Sequence, residues 1–338
     1  MKVLYLGGTG AISAACAAAS LRRGHEVWLL NRGRTRLRPV PAGVTAVTAD
    51  LADPASVREA LAGQRFDAVV DFLAFTAADA ARAVEGFAGR TGQYVFISSA
   101  SVYDRAGRRI PIDESTPRGN RHSAYSRDKI AAEDAFLAAH ASAALPVTIV
   151  RPSHTYDEAK PPLPGGWTEV DRLLRGDELV VPADGTSLWT LTHAADLAVG
   201  LTGLLGDVRT LGETFHITSD EVLAWDDIYR ILAAAAGVEP RLVHVPAELL
   251  ALAAPDWRWT PLILGDLRFS SIFDNGKIRR FVPDFRPRVT WSEGARGILR
   301  WRAEHPGAAA ADPPTDRILS RLVTGYHRAA KAFEALAG

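Results

Sequence analysis

A glycine-rich turn close to the N-terminus, GGTGAIS at residues 7–13, constrains the fold of this chain more than any other feature. A short apolar run, Val3 to Leu6, ends at this turn, and an alanine-rich pattern predicts a helix from Ala11 to Arg23. Glycines at such a junction let the backbone turn sharply and approach a pyrophosphate, whose charge the helix N-terminus stabilises. The small residue Ser13 replaces the third glycine of the usual pattern, and we expect it to keep the helix close to the sheet.

Further apolar runs repeat this alternation of strand and helix. They lie at Glu26 to Leu30, Val44 to Thr48, Asp67 to Leu73, Tyr94 to Ile97 and Val147 to Val150. Continuous apolar strands separated by helices are typical of a parallel sheet that is covered on both faces. We therefore predict an α/β protein in which residues 1–155 form a Rossmann-type, doubly wound dinucleotide-binding domain.

The sequence changes in character after residue 155. A proline- and glycine-rich segment lies at residues 160–167, and helical patterns lie near Asp226 to Ala236 and Pro246 to Ala254. We assign residues 156–338 mainly to a smaller C-terminal substrate-binding lobe. Its tryptophans suit either a core or an aromatic wall for a planar ligand group, and both roles stay open.

Two more segments complete the predicted organisation. A segment near residues 188–218 is expected to return to the first domain. Residues 308–314, AAAADPP, have the composition of a linker, and an amphipathic pattern predicts a last helix from Thr315 to Leu336.

Composition limits the partners and the compartment. The chain has 39 basic and 39 acidic side chains, so no long-range field draws it to nucleic acid, and a small-molecule partner is favoured. Cys16 is the single cysteine, which excludes an internal disulfide and a thiolate metal cluster and fits a reducing compartment. The first residues are too short an apolar run for a signal peptide, and no apolar stretch has the length of about 18 residues that spans a membrane. We expect a cytoplasmic protein without a bound metal.

The end of the second strand bears on the choice of dinucleotide. A carboxylate there bonds the ribose diol and repels a 2′-phosphate, whereas arginines attract one. The chain has Asn31-Arg32-Gly33-Arg34, which permits NADP, but the arginines suit a solvated loop equally well, so NAD and NADP both stay open. Asp50, after the third strand, is placed either to meet the adenine or to cap a helix near Pro54.

Side chains with hydroxyl, phenol and ammonium groups lie in the segments where an open α/β sheet is expected to bind its ligand. Ser98 and Ser99 follow the fifth strand, at the strand end where such sheets form their crevice. Tyr125 and Lys129 are four residues apart, hence on one face of a helix.

Taken together, these segments resemble the extended short-chain dehydrogenase/reductase superfamily, specifically its NAD-dependent epimerase/dehydratase branch. The resemblance runs in order through most of the chain, through the glycine turn and the segments TADL, DFLAF, SSASVY, DESTP, YSRDK, RPSHTY and LTHAADLA. It implies a bound NAD, with NADP not excluded, and a possible homodimer formed through helices of the first domain. It also implies cofactor contacts from Gly7, Thr9, Gly10, Ala11, Ile12, Asn31, Arg32, Asp50, Leu51, Phe72, Ala74, Ser98, Tyr125, Lys129, Pro152 and His154.

The resemblance assigns catalytic roles by position. Ser99 would hold the substrate oxygen, Tyr125 would be the acid/base, and Lys129 would anchor the nicotinamide ribose. An ammonium and a cationic nicotinamide near the phenol would lower the pKa of Tyr125 towards neutrality. Hydride would then leave a substrate carbon for the nicotinamide while Tyr125 takes the proton of its hydroxyl.

Two departures from the family pattern matter for the reaction. The sugar-nucleotide 4,6-dehydratases carry an Asp-Glu pair directly after their catalytic threonine, and this chain has Ala100 and Ser101. Relatives commonly have asparagine at the position of His154. This fourth candidate catalytic residue could supply an extra acid or base, or could be a neutral hydrogen-bond donor.

The substrate region departs from the family as well. Candidate substrate contacts are Ser99, Ala100, Ser101, Tyr103, Trp167 and Trp189. No arginine lies between Ser187 and His193, where relatives grip a diphosphate. We therefore expect a substrate other than a sugar diphosphonucleotide, such as a nucleoside or another modified sugar with an aromatic group stacked on tryptophan.

The predicted function is that of an epimerase or dehydratase/hydratase that acts on a sugar moiety through transient hydride transfer to a bound nicotinamide. A net NADPH-dependent ketone reductase is the first alternative. A non-catalytic dinucleotide-binding module is the second alternative, because a fold can be retained after its catalytic activity is lost.

Overall fold

A parallel sheet forms the centre of the molecule. The computed structural model describes residues 1–33, 38–105 and 109–336. Within these ranges, seven parallel strands pair in the order β3-β2-β1-β4-β5-β6-β11. They are β1 (Lys2–Leu6), β2 (Glu26–Asn31), β3 (Thr45–Thr48), β4 (Phe66–Asp71), β5 (Thr91–Ile97), β6 (Val147–Pro152) and β11 (Thr214–Ile217). The order reverses beside β1, so the predicted Rossmann-type, doubly wound α/β fold is confirmed.

Six short strands pair outside this sheet. They are β7 (His154–Tyr156), β8 (Glu178–Pro182), β9 (Leu188–Trp189), β10 (Leu191–His193), β12 (Leu223–Ala224) and β13 (Arg241–Val245). They form three two-stranded pairs, β7 with β10, β8 with β13 and β9 with β12. These pairs lie beyond the carboxyl end of β6 in the chain, in the part that was predicted to form mainly the second lobe.

The helices fall into two groups along the chain. Those of the first half are α1 (Ala11–Arg22), α2 (Pro54–Ala60), α3 (Ala77–Phe87) and α4 (Ala124–Ala141). Those of the second half are α5 (Trp167–Arg175), α6 (Ala194–Leu204), α7 (Trp225–Ala236), α8 (Ala247–Ala253), α9 (Thr260–Leu262), α10 (Gly276–Phe281), α11 (Trp291–Glu304) and α12 (Pro313–Glu334). A π-helical turn, Ile263–Leu267, follows α9 directly. None of the described helices has the length and apolarity needed to cross a membrane.

Local side chains explain two differences from the predicted boundaries. The strand predicted to reach Leu73 ends at Asp71, because the Asp71 carboxylate accepts hydrogen bonds from the backbone N–H groups of Leu73 and Ala74. The linker predicted to reach Pro314 ends at Asp312. The Asp312 side chain caps α12 through the Thr315 N–H, and the two prolines occupy the first helical turn, where no N–H is needed.

Three apolar cores hold these layers together. One lies between the sheet and α1 with α6, and a second lies between the sheet and α3 with α4. The third fills the second lobe, where Trp225 and Trp291 are fully buried. These two tryptophans are therefore core, whereas Trp189 and Trp259 line a cavity. The tryptophans of this lobe thus divide between the two roles left open by the sequence.

Candidate active site

The glycine turn has the geometry that a phosphate requires. Gly7 and Gly8 adopt positive φ angles of 117° and 102°. A Cβ atom on Gly8 would lie 2.7 Å from a methyl group of Leu29, so a larger residue would force the turn away from the sheet. Gly10 precedes α1, and its N–H donates to Ser13 Oγ at 3.0 Å. The buried Ser13 therefore replaces the third glycine with its hydroxyl satisfied.

Two cavities open along the carboxyl edge of the sheet, on either side of this turn. The first, of about 460 Å³, is lined by the ends of β1, β2 and β4 and the loop after β3. The second, of about 440 Å³, is lined by the ends of β5 and β6, by α4 and by the second lobe. Phe75 lines both cavities, so they meet at its side chain. A glycine cradle between two connected cavities fits an extended dinucleotide, with the adenosine in the first and the nicotinamide in the second.

Most predicted cofactor residues line one of the two cavities. The first cavity includes Gly7, Thr9, Asn31, Arg32, Asp50, Leu51 and Ala74. The second includes Ile12, Phe72, Ser98, Tyr125, Lys129, Pro152 and His154. Gly10 and Ala11 line neither, and their place is in the turn and the first residue of α1.

The end of β2 carries an amide and not a carboxylate. Asn31 Oδ1 accepts the Gly33 N–H at 2.8 Å and so shapes the turn after the strand. Arg32 is exposed at the cavity rim, and Arg34 lies outside the described residues. Asp50 lines the cavity and accepts the Ala52 N–H, whereas Asp53 caps α2, so the capping role considered for Asp50 is wrong.

A buried carboxylate that the sequence reasoning missed lies at the end of β4. Asp71 lines the first cavity and accepts a hydrogen bond from the Tyr94 hydroxyl at 2.6 Å. Burial raises the pKa of Asp71, and bonds from Tyr94 and the backbone partly oppose this shift. A polar residue at the carboxyl end of an apolar strand was the available signal.

Ser99 and Tyr125 meet in the second cavity. Ser99 begins a short 3₁₀ turn after β5 and accepts the Ser101 N–H, and its Oγ lies 3.0 Å from Ser101 Oγ. Burial raises the pKa of Tyr125 above its usual value, a hydrogen bond with Ser99 lowers it in part, and the nearby Asp266 charge raises it further. The expected pKa near neutrality depends on the charge of a bound nicotinamide beside the phenol, and it stays a prediction.

The Lys129 ammonium binds two backbone carbonyls. Nζ donates to Ala74 O at 2.7 Å and to Ile97 O at 2.8 Å, between the rings of Phe75 and Phe96. Burial lowers the pKa of Lys129 to about 8, against the opposing charge of Asp71. Lys129 thus ties α4 to the ends of β4 and β5.

A buried ion network fixes α4 one turn beyond Lys129. Glu133 accepts hydrogen bonds from Arg151 Nε at 2.8 Å and Arg151 Nη2 at 2.6 Å, and from Arg118 Nη1 at 2.9 Å. Burial raises the pKa of Glu133, but these arginines outweigh it and hold the pKa below its usual value. The network joins the helix that carries Tyr125 to the strand that leads into His154.

His154 is a neutral ring in an aromatic box. It is stacked on Trp259 and meets Trp189 and Trp225 edge to face. The Trp189 indole N–H donates to His154 Nδ1 at 3.1 Å, which places the single ring proton on Nε2. Burial and the charge of Lys160 lower the pKa of His154 to about 3. Of the two roles considered, the geometry favours a neutral hydrogen-bond donor over a titrating acid/base.

The predicted substrate contacts separate into two groups. Ser99, Ala100, Ser101 and Trp189 line the second cavity. Tyr103 is fully buried behind it with its hydroxyl 3.2 Å from His216 Nδ1, and Trp167 stacks on Trp301 at 5.5 Å. Neither Tyr103 nor Trp167 reaches the cavity, because each is held by a partner distant in sequence.

Three charged residues on the cavity wall escaped the sequence reasoning. Arg105 Nε donates to Asp266 Oδ1 at 2.7 Å, and both side chains are at least nine-tenths buried. Lys160 lines the cavity near His154. Arg105 and Asp266 are 161 residues apart, so no local pattern announced their pairing.

Comparison with known proteins agrees with this geometry. Residues 7–173 match the family model described as NAD(P)H-binding. The chain is 29% identical over 293 residues to the 2'-dehydrokanamycin reductase of Streptomyces kanamyceticus, which covers 85% of this chain and 81% of the relative. It is 26% identical over 326 residues to the chloroplast stem-loop binding protein of 41 kDa b of Arabidopsis thaliana, over 90% of this chain and 75% of the relative.

Among solved structures, an epimerase from Methanothermobacter thermautotrophicus superposes with a TM-score of 0.75 at 18% identity, covering 91% of this chain and 94% of the epimerase. The fold and the matched region define an NAD(P)H-binding α/β protein. The predicted relationship to the extended short-chain dehydrogenase/reductase superfamily is confirmed in the fold and in the NAD(P)H-binding domain. The comparisons support an NAD(P)-dependent enzyme of this type.

Proposed function

We propose that this protein reduces a carbonyl group with NADPH, with Tyr125 as the proton donor. The observation that carries the proposal is that Ser99 and Tyr125 line the second cavity together, so that two hydroxyl groups can meet one carbonyl oxygen. Reduction of a ketone needs a proton at its oxygen, whereas oxidation of an alcohol needs a base. A tyrosine phenol, whose usual pKa is about 10, can supply that proton beside a serine hydroxyl.

The two hydroxyls divide the work at the carbonyl oxygen. Ser99 Oγ donates a hydrogen bond that orients the oxygen, and Tyr125 Oη transfers its proton as negative charge develops there. A nicotinamide held beside these hydroxyls would supply the hydride to the carbonyl carbon. Lys129, fixed by Ala74 O and Ile97 O, holds α4 in place and leaves its third N–H for the ribose.

The residues that line the second cavity argue against a reaction that eliminates water. The positions of the family's Asp-Glu pair hold Ala100 and Ser101, neither of which moves a proton at neutral pH. His154 does not replace them, because its low pKa leaves it neutral. A dehydratase or hydratase reaction is therefore less well supported than hydride transfer alone.

The end of β2 favours NADPH over NADH. Asn31 does not repel a 2′-phosphate, and Arg32 at the rim of the first cavity offers a cation to it. The similarity to 2'-dehydrokanamycin reductase, a reductase by name, points in the same direction.

Epimerisation of a sugar through a retained nicotinamide is the second candidate. It needs no acid/base group beyond Tyr125, since one phenol can take and return the same proton. A non-catalytic module is the third outcome, suggested by the similarity to the stem-loop binding protein.

Cofactor consumption separates these functions. The purified protein is denatured to measure the nicotinamide it retains, and is then assayed with NADPH and a panel of ketones, with Tyr125→Phe as control. Stoichiometric oxidation of NADPH that Tyr125→Phe abolishes supports the reductase. Retained nicotinamide that no ketone consumes favours the epimerase, and turnover that survives Tyr125→Phe contradicts the assigned proton donor.

A further inference from the structure

We propose that the Arg105–Asp266 pair is a substrate-binding site for neighbouring hydroxyl groups, so that the reduced compound is an uncharged, polyhydroxylated ring ketone. This inference rests on the reductase proposed above and adds the class of its substrate. It also distinguishes this chain from its relative that, by name, reduces a dehydrokanamycin.

The pair lies on the wall of the catalytic cavity. Arg105 follows the 3₁₀ turn that Ser99 begins, and its Nη2 donates to Ala100 O at 3.0 Å. Asp266 lines the same cavity as Ser99 and Tyr125. A group bound by the pair therefore lies next to the carbonyl that Ser99 and Tyr125 hold.

Two buried polar atoms on this wall have no partner among the residues that the structure describes. Arg105 Nη1 is buried and donates to no atom of the residues that the structure describes, although Nε and Nη2 are both bonded. Ser271 Oγ lines the same cavity, is equally buried and has no partner within the described ranges. Buried polar groups without partners are rare, because each one forgoes its hydration. Oxygen atoms of a ligand would satisfy both groups after a small adjustment of the wall.

The Asp266 carboxylate supplies a hydrogen-bond acceptor beside the Arg105 donor. Asp266 Oδ1 is taken by Arg105, and Oδ2 accepts no hydrogen bond in the described part of the chain. A hydroxyl group both donates and accepts, so two adjacent hydroxyls match an arginine donor beside a free carboxylate oxygen. A simple alkyl ketone would leave these groups unsatisfied, and sites of this kind discriminate strongly against such analogues.

The backbone that carries Asp266 is built for this position. Asp266 lies in the π-helical turn, a conformation frequent at functional sites. The turn packs tightly on Asn120, since a Cβ atom on Gly265 would lie 2.3 Å from Asn120 Oδ1. Asn120 in turn contacts Ser126 of the catalytic helix at 3.4 Å. The turn is thereby held in register with the helix that carries Tyr125.

The remaining walls select against a polycationic substrate. The cavity is lined by the basic residues Arg105, Lys129 and Lys160 and by one acidic residue, Asp266, which is already paired. An excess of positive charge repels the ammonium groups of an aminoglycoside. The rings of Trp189 and Trp259 line the same space and offer flat apolar surfaces to the C–H face of a ring.

Two matched ring ketones test the inference. myo-Inosose is a polyhydroxylated cyclohexanone, and cyclohexanone is the same ring without hydroxyls. Wild type should reduce myo-inosose with a kcat/KM at least about 100-fold higher, and Asp266→Asn or Arg105→Gln should lower that preference by about 10- to 100-fold, the effect of losing a hydrogen bond to a charged group. 2'-Dehydrokanamycin should be reduced more slowly than myo-inosose.

Glu248→Gln is the matched control. Glu248 is an exposed carboxylate that pairs with Arg268 directly after the π-helical turn, so its loss should leave the preference unchanged. A second readout, calorimetric binding of myo-inositol and of cyclohexanol to the protein with NADP⁺ added, measures recognition without turnover.

The outcomes separate the two proposals. Binding of myo-inositol that Asp266→Asn abolishes supports the site even if no ketone is reduced, a result that would count against the reductase. Equal kcat/KM for both ring ketones, unchanged in the variants, overturns the site and leaves the reductase standing. A preference for 2'-dehydrokanamycin over myo-inosose also overturns the proposed hydroxyl-binding site. The absence of both binding and turnover contradicts the site and the reductase alike.

Discussion

Removal of Arg151 tests whether the buried ion network holds the catalytic helix. Arg151→Met takes two charge-assisted hydrogen bonds, of 2.8 and 2.6 Å, from a fully buried Glu133, which keeps the bond from Arg118. Breaking a buried ion pair costs about 3–5 kcal/mol, and the surviving Arg118 favours the lower end of that range. An unfolding entropy of about 2.1 cal/mol/K per residue gives roughly 0.7 kcal/mol/K for 338 residues, so Tm should fall by about 4 °C.

Differential scanning calorimetry at neutral pH measures this shift. Arg209→Met is the control, because Arg209 pairs with Asp207 at the surface and its loss should leave Tm unchanged. Adding Glu133→Leu to Arg151→Met should restore part of the loss, since no buried charge is then left uncompensated, while Arg118 keeps Asp134. A decrease in Tm smaller than about 1 °C, or a decrease equal to that of the Arg209→Met control, would refute the reasoning.

The pH dependence of the same shift has a defined sign. The network holds the pKa of Glu133 in the folded protein below its unfolded value. Its stabilisation is therefore fully present above about pH 4.3, the usual glutamate pKa, and is lost as the pH falls through the lower folded value. The difference in Tm between wild type and Arg151→Met should be largest at neutral pH and should narrow as the pH falls, because the variant protonates its buried Glu133 at a higher pH than wild type does.

Three further predictions concern the site. His154→Asn should lower kcat without changing its pH profile between about pH 5 and 8, because a histidine with a pKa of about 3 is already neutral there; disappearance of a titration in that range would contradict the neutral ring. Asn31→Asp should shift the preference from NADPH towards NADH by about tenfold or more in kcat/KM, through repulsion of the 2′-phosphate, and an unchanged ratio would remove Asn31 from cofactor selection. The dissociation constant of NADPH, measured by fluorescence titration, should rise as the pH passes about 8, where the Lys129 ammonium deprotonates. The variant Lys129→Met should bind NADPH weakly at every pH. A pH dependence in this variant that parallels that of wild type would assign the titration to another group.

The parts of the molecule encoded locally could be predicted from the sequence. The glycine turn, the alternation of strand and helix and the spacing of Tyr125 and Lys129 each lie within a few residues, where backbone geometry and side-chain periodicity determine the outcome. The strand order and the pairing of Ser99 with Tyr125 follow from the superfamily resemblance that these motifs carry.

The parts that depend on distant contacts could not be predicted. The neutrality of His154 results from Trp189, Trp225 and Trp259, which no local pattern connects to it. No local sequence pattern predicts that Trp167 stacks on Trp301. No local pattern predicts that Arg105 pairs with Asp266, 161 residues away in sequence. The two carbonyls that Lys129 binds could not be predicted either, since they belong to other elements, and its role as a charge beside the phenol stays a prediction.

A crystal structure of the protein in complex with NADP⁺ tests the central claim most directly. We predict that the adenosine lies in the cavity beside Asn31 and Asp50 and that the nicotinamide ring faces Ser99 and Tyr125, with the Tyr125 hydroxyl directed at the space above the ring. A nicotinamide that lies outside the cavity of Ser99 and Tyr125, or a Tyr125 hydroxyl that points away from the ring, would contradict it.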